Sequence, residues 1–413
     1  MQLSELRERL GQGDRAQQLA TRLIVSAAEI SGATELVPIE MAHISACHYS
    51  GRASLDFAEF LLRNSARFAV PTHTNASLIA CATPTLRPES TDPESVAGAR
   101  RLMEIYEQLG ATPMWTCAPY QQPDGRPDFG QHVAASESNA VSFFNSVLGA
   151  RTNKYGDFLD VSAAIVGAVP LAGLHTDDGR GATHLFRVQL PDSASDAEHE
   201  DASLAHLVGI IVGRLTGTHV PVIDGMGSLD EDQLKAVAAA AASSGSVAMF
   251  HVVGVTPEAP TLEAATGGRI PARQTVIDAG MLADARAALQ TRSSGRLSAV
   301  CLGTPHFSVG EFGELLRLLD GRSTRVQMLV TTSRAAVAEI DVLGWAQQLD
   351  DAGVRVICDT CTYYPPTPTG VSGRVMTNSA KWAYYAPGTL GVEVAFGSLR
   401  ACVESAVCGE VVL

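Results

Sequence analysis

What the chain lacks narrows its function first. None of its apolar runs approaches the roughly 20 residues that a membrane-spanning helix needs; LVGIIVG, Leu207–Gly213, is typical of them. The opening stretch MQLSELRERLGQG is polar and helix-forming, without the apolar centre of a secretory signal, so a cytoplasmic protein with no membrane partner is expected. Positive charge is also short. Against 44 Asp and Glu there are 30 Lys and Arg, a net charge of −14, with no basic stripe. Nucleic acid is therefore not an expected partner, although a locally positive pocket still admits an anionic substrate. There is no G-x-x-x-x-G-K-[ST] loop, no persuasive G-x-G-x-x-G after a strand and no G-x-S-x-G. Nucleotide hydrolysis, hydride transfer and serine-esterase chemistry lose their usual anchors. Eight cysteines in 413 residues of intracellular character do not read as a disulfide framework.

Apolar content is ample, at 46% of residues, enough for substantial cores. In the C-terminal half, a β-rich run ends at Cys301 and a loop follows at Gly303–His306. SVGEFGELLRLLDG is a helix with Ser308 as N-cap and Glu311 three residues on. RVQMLVTTS is a strand, RAAVAEIDVLGWAQQLDDAG one helix stopped at Gly353, and VRVICDT a third strand. This alternation predicts right-handed crossovers and a mainly parallel sheet flanked by helices, an α/β fold whose ligands gather at the carboxyl edge. DEDQLKAVAAAAASSG followed by SVAMFHVVGV repeats the pattern. Nearer the N-terminus, VPIEMAHISA and ARFAVPTHTN read as short strands. SESNAVSFFNSVLGARTN reads as a helix with Ala140, Val141, Phe144, Val147 and Leu148 on one face. The acidic stretch DSASDAEHEDASL suggests an exposed connection, dividing the chain into lobes 1–195 and 196–413.

Cysteines at the expected sheet edge carry the clearest chemistry. Cys301, Cys358 and Cys361 end strands there, and Cys117 lies in the loop WTCAPY. Thiolates from separate loops are the usual ligands of iron–sulfur clusters. Cys301 and Cys358 sit inside apolar runs, where a buried inert cysteine is the commoner outcome. Zinc is the other reading, with Cys358, Cys361, Cys117 and a histidine able to close a four-ligand site. The pair in CDTC ends a strand instead of opening a helix, which argues against a thioredoxin-like redox motif. MTNSAKWAYYAPG brings Ser379 and Lys381 together, GARTNKYGDF offers Arg151, Asn153 and Lys154 as an anion clamp, and VPTHTN offers Thr74 and Asn75. His206 and His219 carry only a structural reading.

Together these blocks resemble one family. TCAPYQQPDGRPDFGQHVAASESNAVSFFNSVLGARTNKYGDFLD is similar to the signature of aconitase X, the divergent branch of the aconitase superfamily. VPTHTN, GLHTDD, LGTPHFS, CDTCTYY and TNSAKWAYYAPG follow in matching form. The resemblance implies a multi-lobed aconitase-like body and a hydro-lyase that dehydrates a small hydroxy acid with an iron–sulfur cluster as Lewis acid. Family members act on cis-3-hydroxy-L-proline or mevalonate 5-phosphate, as one fused chain or as large and small subunits. This chain looks like the large part, so a separate small subunit with a swivelling domain is the implied partner.

By the same resemblance, Cys117 and Cys361 match cluster cysteines. Glu137, Ser138, Asn139, Arg151, Asn153 and Lys154 would position substrate together with Thr74 and Asn75. Ser379 and Lys381 would be catalytic, with His306 orienting a ligand or the leaving water. One departure stands out. Where the family often has Gly-Cys-Pro-His, this chain has Gly303-Thr304-Pro305-His306. Either Cys301 or Cys358 compensates, or the cluster is smaller than a cubane, or another metal binds. The absence of a dedicated phosphate loop favours cis-3-hydroxy-L-proline as substrate. The alternatives are a mevalonate 5-phosphate dehydratase large subunit and a zinc-stabilised non-catalytic binding protein.

Overall fold

Several helix starts in this chain are set by side-chain caps, among them the one expected at Ser308. The Ser308 hydroxyl accepts from the Glu311 amide at 3.1 Å while the Glu311 carboxylate accepts from the Ser308 amide at 2.8 Å, opening the helix Val309–Leu319. Asp230 and Gln233 do the same for the helix Glu231–Gly245. The computed structural model describes residues 1–8, 10–81, 83, 86–88, 90–189 and 203–413. The lobe boundary expected at residues 195–196 lies outside them.

The architecture is α/β, with mainly parallel sheets flanked by helices. A three-stranded parallel sheet has Met41–Ile44 between Thr72–Thr74 and Val133–Ala135. A four-stranded parallel sheet follows the order His251–Val252, Pro221–Asp224, His184–Val188, Arg273–Ile277. The C-terminal sheet runs Val354–Ile357, Gln327–Thr332, Ala299–Phe307, Arg374–Thr377, Glu393–Phe396, all parallel. Its chain order reverses beside the central strand Ala299–Phe307, creating a crevice at the carboxyl edge where such sheets bind ligands. An antiparallel pair, Leu36–Pro38 with Ala168–Pro170, completes the set.

Three local readings change. The strand expected to stop at Cys301 continues to Phe307, but its register with Gln327–Thr332 breaks between Leu302 and Phe307. Gly303 permits that bulge: its φ is +82°, and a Cβ would lie 2.1 Å from the Thr331 carbonyl oxygen. The single helix expected up to Gly353 is two, Arg334–Val342 and Trp345–Asp351, broken where Gly344 takes φ +71°. The helix after Ser138 ends at Ser146 and has Asn139 through Ser146 all buried, so its apolar pattern is not one exposed-edge stripe.

The largest core lies between the helices Ser203–Thr216 and Glu231–Gly245. Small residues let them approach closely; a Cβ on Gly209 would meet the Ala240 side chain at 2.7 Å. That packing carries Lys235 to the back of the crevice, where its ammonium donates to Asp232 at 2.7 Å, to Glu311, and to the His306 carbonyl at 3.4 Å. Among the described residues no helix is long and apolar enough to cross a membrane.

Candidate metal centre and the Lys381–Glu137 pair

Cys117 and Cys361 come from opposite ends of the chain, and the bulged strand joins them. Cys117, Cys361 and His306 are buried, with one potential ligand atom from each within 4.8 Å of the others. The His306 amide donates to the Cys117 sulfur at 3.4 Å. Its ring Nδ1 lies 2.9 Å from the Thr116 hydroxyl, and its Nε2 lies 3.1 Å from the Thr360 carbonyl and 3.9 Å from the Cys361 sulfur. A carbonyl only accepts, so Nε2 carries the proton and Nδ1 accepts from Thr116. The ring therefore ties together the residues immediately preceding the two cysteines. A metal could recruit Nε2 only at the cost of the Thr360 bond.

The donor set fits a soft metal. Burial raises the Cys117 thiol, but the hydrogen bond from Cys361 leads the effects that outweigh it and bring it down to about 6. Cys361 is pushed the other way, first by that same hydrogen bond and then by burial. The two titrate as a unit whose first proton leaves easily, and a thiolate is what a metal needs. Thr304, where the resemblance leads one to expect a third thiolate, offers only a hydroxyl. Its Oγ1 is buried without a hydrogen-bond partner.

Beside the thiols sits an ion pair that breaks a local rule. Lys381 lies in the first turn of the helix Ala380–Leu390, where the positive end of the helix dipole opposes a cation. It is nonetheless only 2% exposed, and its ammonium donates to Glu137 at 2.6 Å. Glu137 caps the helix Ser138–Ser146 by accepting from the Ala140 amide at 2.7 Å, so two helix N-termini meet at one pair. Burial pulls Lys381 down, but Glu137, Tyr363 and Cys117 overcome it and hold the ammonium well above its usual pKa. Burial raises Glu137, yet Lys381 and the Ala140 amide bring its carboxyl below the usual value. The chain has three lysines, and two of them, Lys235 and Lys381, are buried. That scarcity is a signal the sequence carried. The Glu137 partner, 244 residues away, was not legible there.

Most other singled-out residues hold this centre in place. Ser379 caps the Lys381 helix by accepting from the Trp382 amide at 3.1 Å and donates to the Thr304 carbonyl. Thr304 and Ser379 both line a cavity of about 790 Å³. Asn139 donates to the Cys117 carbonyl at 3.3 Å and to the Tyr120 hydroxyl at 2.7 Å, leaving its buried Oδ1 without a partner. Ser138 lies 3.4 Å from the Lys381 ammonium. Thr74 accepts from the Trp115 amide at 3.1 Å, and Asn75 accepts from the Ala76 amide at 2.7 Å, beside the thiols that Ala76 packs against. His43, missed in the sequence, is buried and bonds the Thr116 carbonyl at 3.0 Å.

The remaining candidates are placed differently. Arg151 pairs with Asp177 at 2.5 Å, Asn153 bridges Ala172 and Leu174 at 2.9 Å each, and Lys154 is exposed. Arg151 and Asn153 anchor the GLHTDD segment. Cys301 and Cys358 are buried outside the ligand group, and burial pushes both thiols up to about 12.

Models of the aconitase X first, second and third domains match residues 1–178, 182–287 and 297–408. The cis-3-hydroxy-L-proline dehydratase of Pseudomonas aeruginosa is 42% identical over 407 residues, covering 97% of this chain and 68% of that protein. The phosphomevalonate dehydratase large subunit of Methanosarcina mazei is 30% identical, covering 99% of this chain and 98% of that one. The crystal structure of holo-form Thermococcus kodakaraensis aconitase X is similar with a TM-score of 0.86 and 30% identity, over 97% of this chain and 98% of that chain.

Proposed function

The chain belongs to the aconitase X family, and from that premise we propose that it is the metal-bearing large part of a hydro-lyase dehydrating cis-3-hydroxy-L-proline. One observation carries the chemistry: a thiol pair able to hold a metal stands beside a buried, ionised Lys381–Glu137 pair. The substrate reading rests on the 42% identity to a hydroxyproline dehydratase, against 30% to a phosphomevalonate dehydratase large subunit.

Cys117 and Cys361 would hold an iron–sulfur cluster, with His306 fixing their approach. When bound, that cluster supplies a Lewis acid for the departing hydroxyl. The chain's own groups bind and orient. Lys381 stays protonated and is suited to neutralise the substrate carboxylate, which makes the neighbouring carbon more acidic. Glu137 keeps that ammonium in place. Ser379 shares with Thr304 the lining of one cavity. Loss of the C2 proton and the C3 hydroxyl, which leave together as one water, yields an enamine that tautomerises to a cyclic imine. We assign the protein to the cytoplasm and a separate small subunit as its partner; the relatives called large subunits support the latter.

The test is NMR detection of that imine from cis-3-hydroxy-L-proline by anaerobically purified chain with the small subunit added, run beside mevalonate 5-phosphate. Imine formation is expected. Turnover of the phosphate substrate alone would overturn the substrate reading and leave the dehydratase reading intact.

A further inference from the structure

The bulge at Gly303–His306 interrupts the ladder of the strand Ala299–Phe307 between Leu302 and Phe307. Side chains take up its carbonyls instead, as buried backbone requires. Thr331 donates to Gly303, Ser379 to Thr304, and Thr332 to Phe307 at 2.7 Å. The His306 carbonyl accepts twice, from the Gln121 side-chain amide at 3.2 Å and from the Lys235 ammonium at 3.4 Å. Lys235 is the charged donor among these.

A buried ammonium needs fixed counter-charges, and Lys235 has two. Asp232 accepts from it and from the Ser308 hydroxyl, each at 2.7 Å. Glu311 accepts from it and, through the same oxygen, from the Ser308 amide at 2.8 Å. Ser308 stands two residues after His306, so the ion cluster clamps the chain where the strand turns into the helix Val309–Leu319. The other polar groups of His306 are committed to the metal centre. Its amide donates to the Cys117 sulfur at 3.4 Å, and its ring joins Thr116 to Thr360. Amide and carbonyl belong to adjacent peptide planes that meet at the His306 Cα, so donors that pin the carbonyl limit rotation of the amide.

We propose that Lys235, together with Gln121, is a positioning residue of the metal centre: by holding the His306 carbonyl it keeps the His306 amide on the Cys117 sulfur. This rests on the reading of Cys117 as a metal ligand and extends it to side chains that act through His306. Hydrogen bonds to ligand sulfurs help set the reduction potential of an iron–sulfur centre, and the outer partners of metal ligands govern how firmly the metal is kept. An amide that donates to a thiolate favours the reduced, more negative form. Releasing it makes the potential more negative.

Lys235→Met by itself strands two carboxylates, so the informative variant combines it with Asp232→Asn and Glu311→Gln. That triple variant keeps both acceptors for Ser308 and removes the cation. Gln121→Leu removes the other donor to the same carbonyl, leaves the ion cluster whole, and carries the test if the triple variant does not fold. In the metal-free full chain, carrying isotope-labelled histidine, exchange of the His306 amide should quicken by about tenfold in the triple variant and by less in Gln121→Leu. In the iron-loaded full chain, apparent iron affinity against a chelator should fall by about tenfold or more, and an optical redox titration should give a more negative potential in both variants. A purely structural Lys235 would move the denaturant midpoint and leave amide exchange and potential at their wild-type values; that result in the folded variants overturns the proposal. Wild-type chain that takes up no iron and sulfide removes the cluster reading, while exchange in the metal-free chain still decides whether Lys235 holds the His306 amide.

Discussion

Two polar clusters in this protein look alike in sequence and differ in structure. One joins Glu137, Asn139, Thr304 and Lys381 around the thiols; the other joins Arg151, Asn153, His175 and Asp177. The second is closed on itself. Arg151 is spent on Asp177 and the His175 carbonyl, Asn153 bonds both sides of the Gly173 turn, and His175 bonds Tyr155 at 2.7 Å and His132 at 2.9 Å. The first is incomplete. Thr304 Oγ1, Asn139 Oδ1 and His43 Nδ1 are buried without partners. Buried polar atoms are seldom left unpaired without a reason. Between these two clusters, unmet hydrogen-bonding capacity, more than residue type, marks the one around the thiols.

The largest effect should come from the thiols. Cys117→Ala and Cys361→Ala should each lower imine formation at least about a hundredfold, in line with loss of a metal's Lewis acidity; steady-state turnover beside circular dichroism separates this from misfolding. Next is the ion pair. Lys381→Met strands a buried carboxylate and should cost about 3–5 kcal/mol in a denaturant titration, whereas Lys381→Met with Glu137→Gln should recover most of that stability without recovering activity. A single variant as mild as a surface change would break the contrast.

Acid sharpens the same point. Glu137 is held below its usual pKa, so its stabilisation is complete above about pH 4.3, the unfolded value, and is lost as pH falls through the lower folded value. A pH series of midpoints should show this loss in wild type and not in the double variant. The smallest effect belongs to the closed cluster. Asp177 has a side chain 89% exposed, so Arg151→Ala should shift the denaturation midpoint less than either ion-pair variant and leave kcat/KM within a few-fold.

Much of the frame was legible in the sequence because local rules generate it. Ser308 with Glu311 marked a helix start, strand–helix alternation marked the parallel sheet, and CDTC with TCAPY singled out the two thiols that the fold brings together. The bulge at Gly303–His306 was not, since a strand that breaks register reads like a loop. Nor was the helix break at Gly344, where apolar periodicity continues on both sides. The Lys381–Glu137 pair and the His306 tie between Thr116 and Thr360 join residues far apart in sequence, and no local pattern encodes such a meeting.

The central claim is that Cys117 and Cys361 together hold an iron–sulfur centre. Iron and acid-labile sulfide, measured on anaerobically purified chain with its visible spectrum, test it most directly. Iron and sulfide in wild type, lost in both Cys117→Ala and Cys361→Ala and kept in Cys301→Ala and Cys358→Ala, is the predicted result. Wild-type protein without iron or sulfide, or a centre that survives both substitutions, would contradict it.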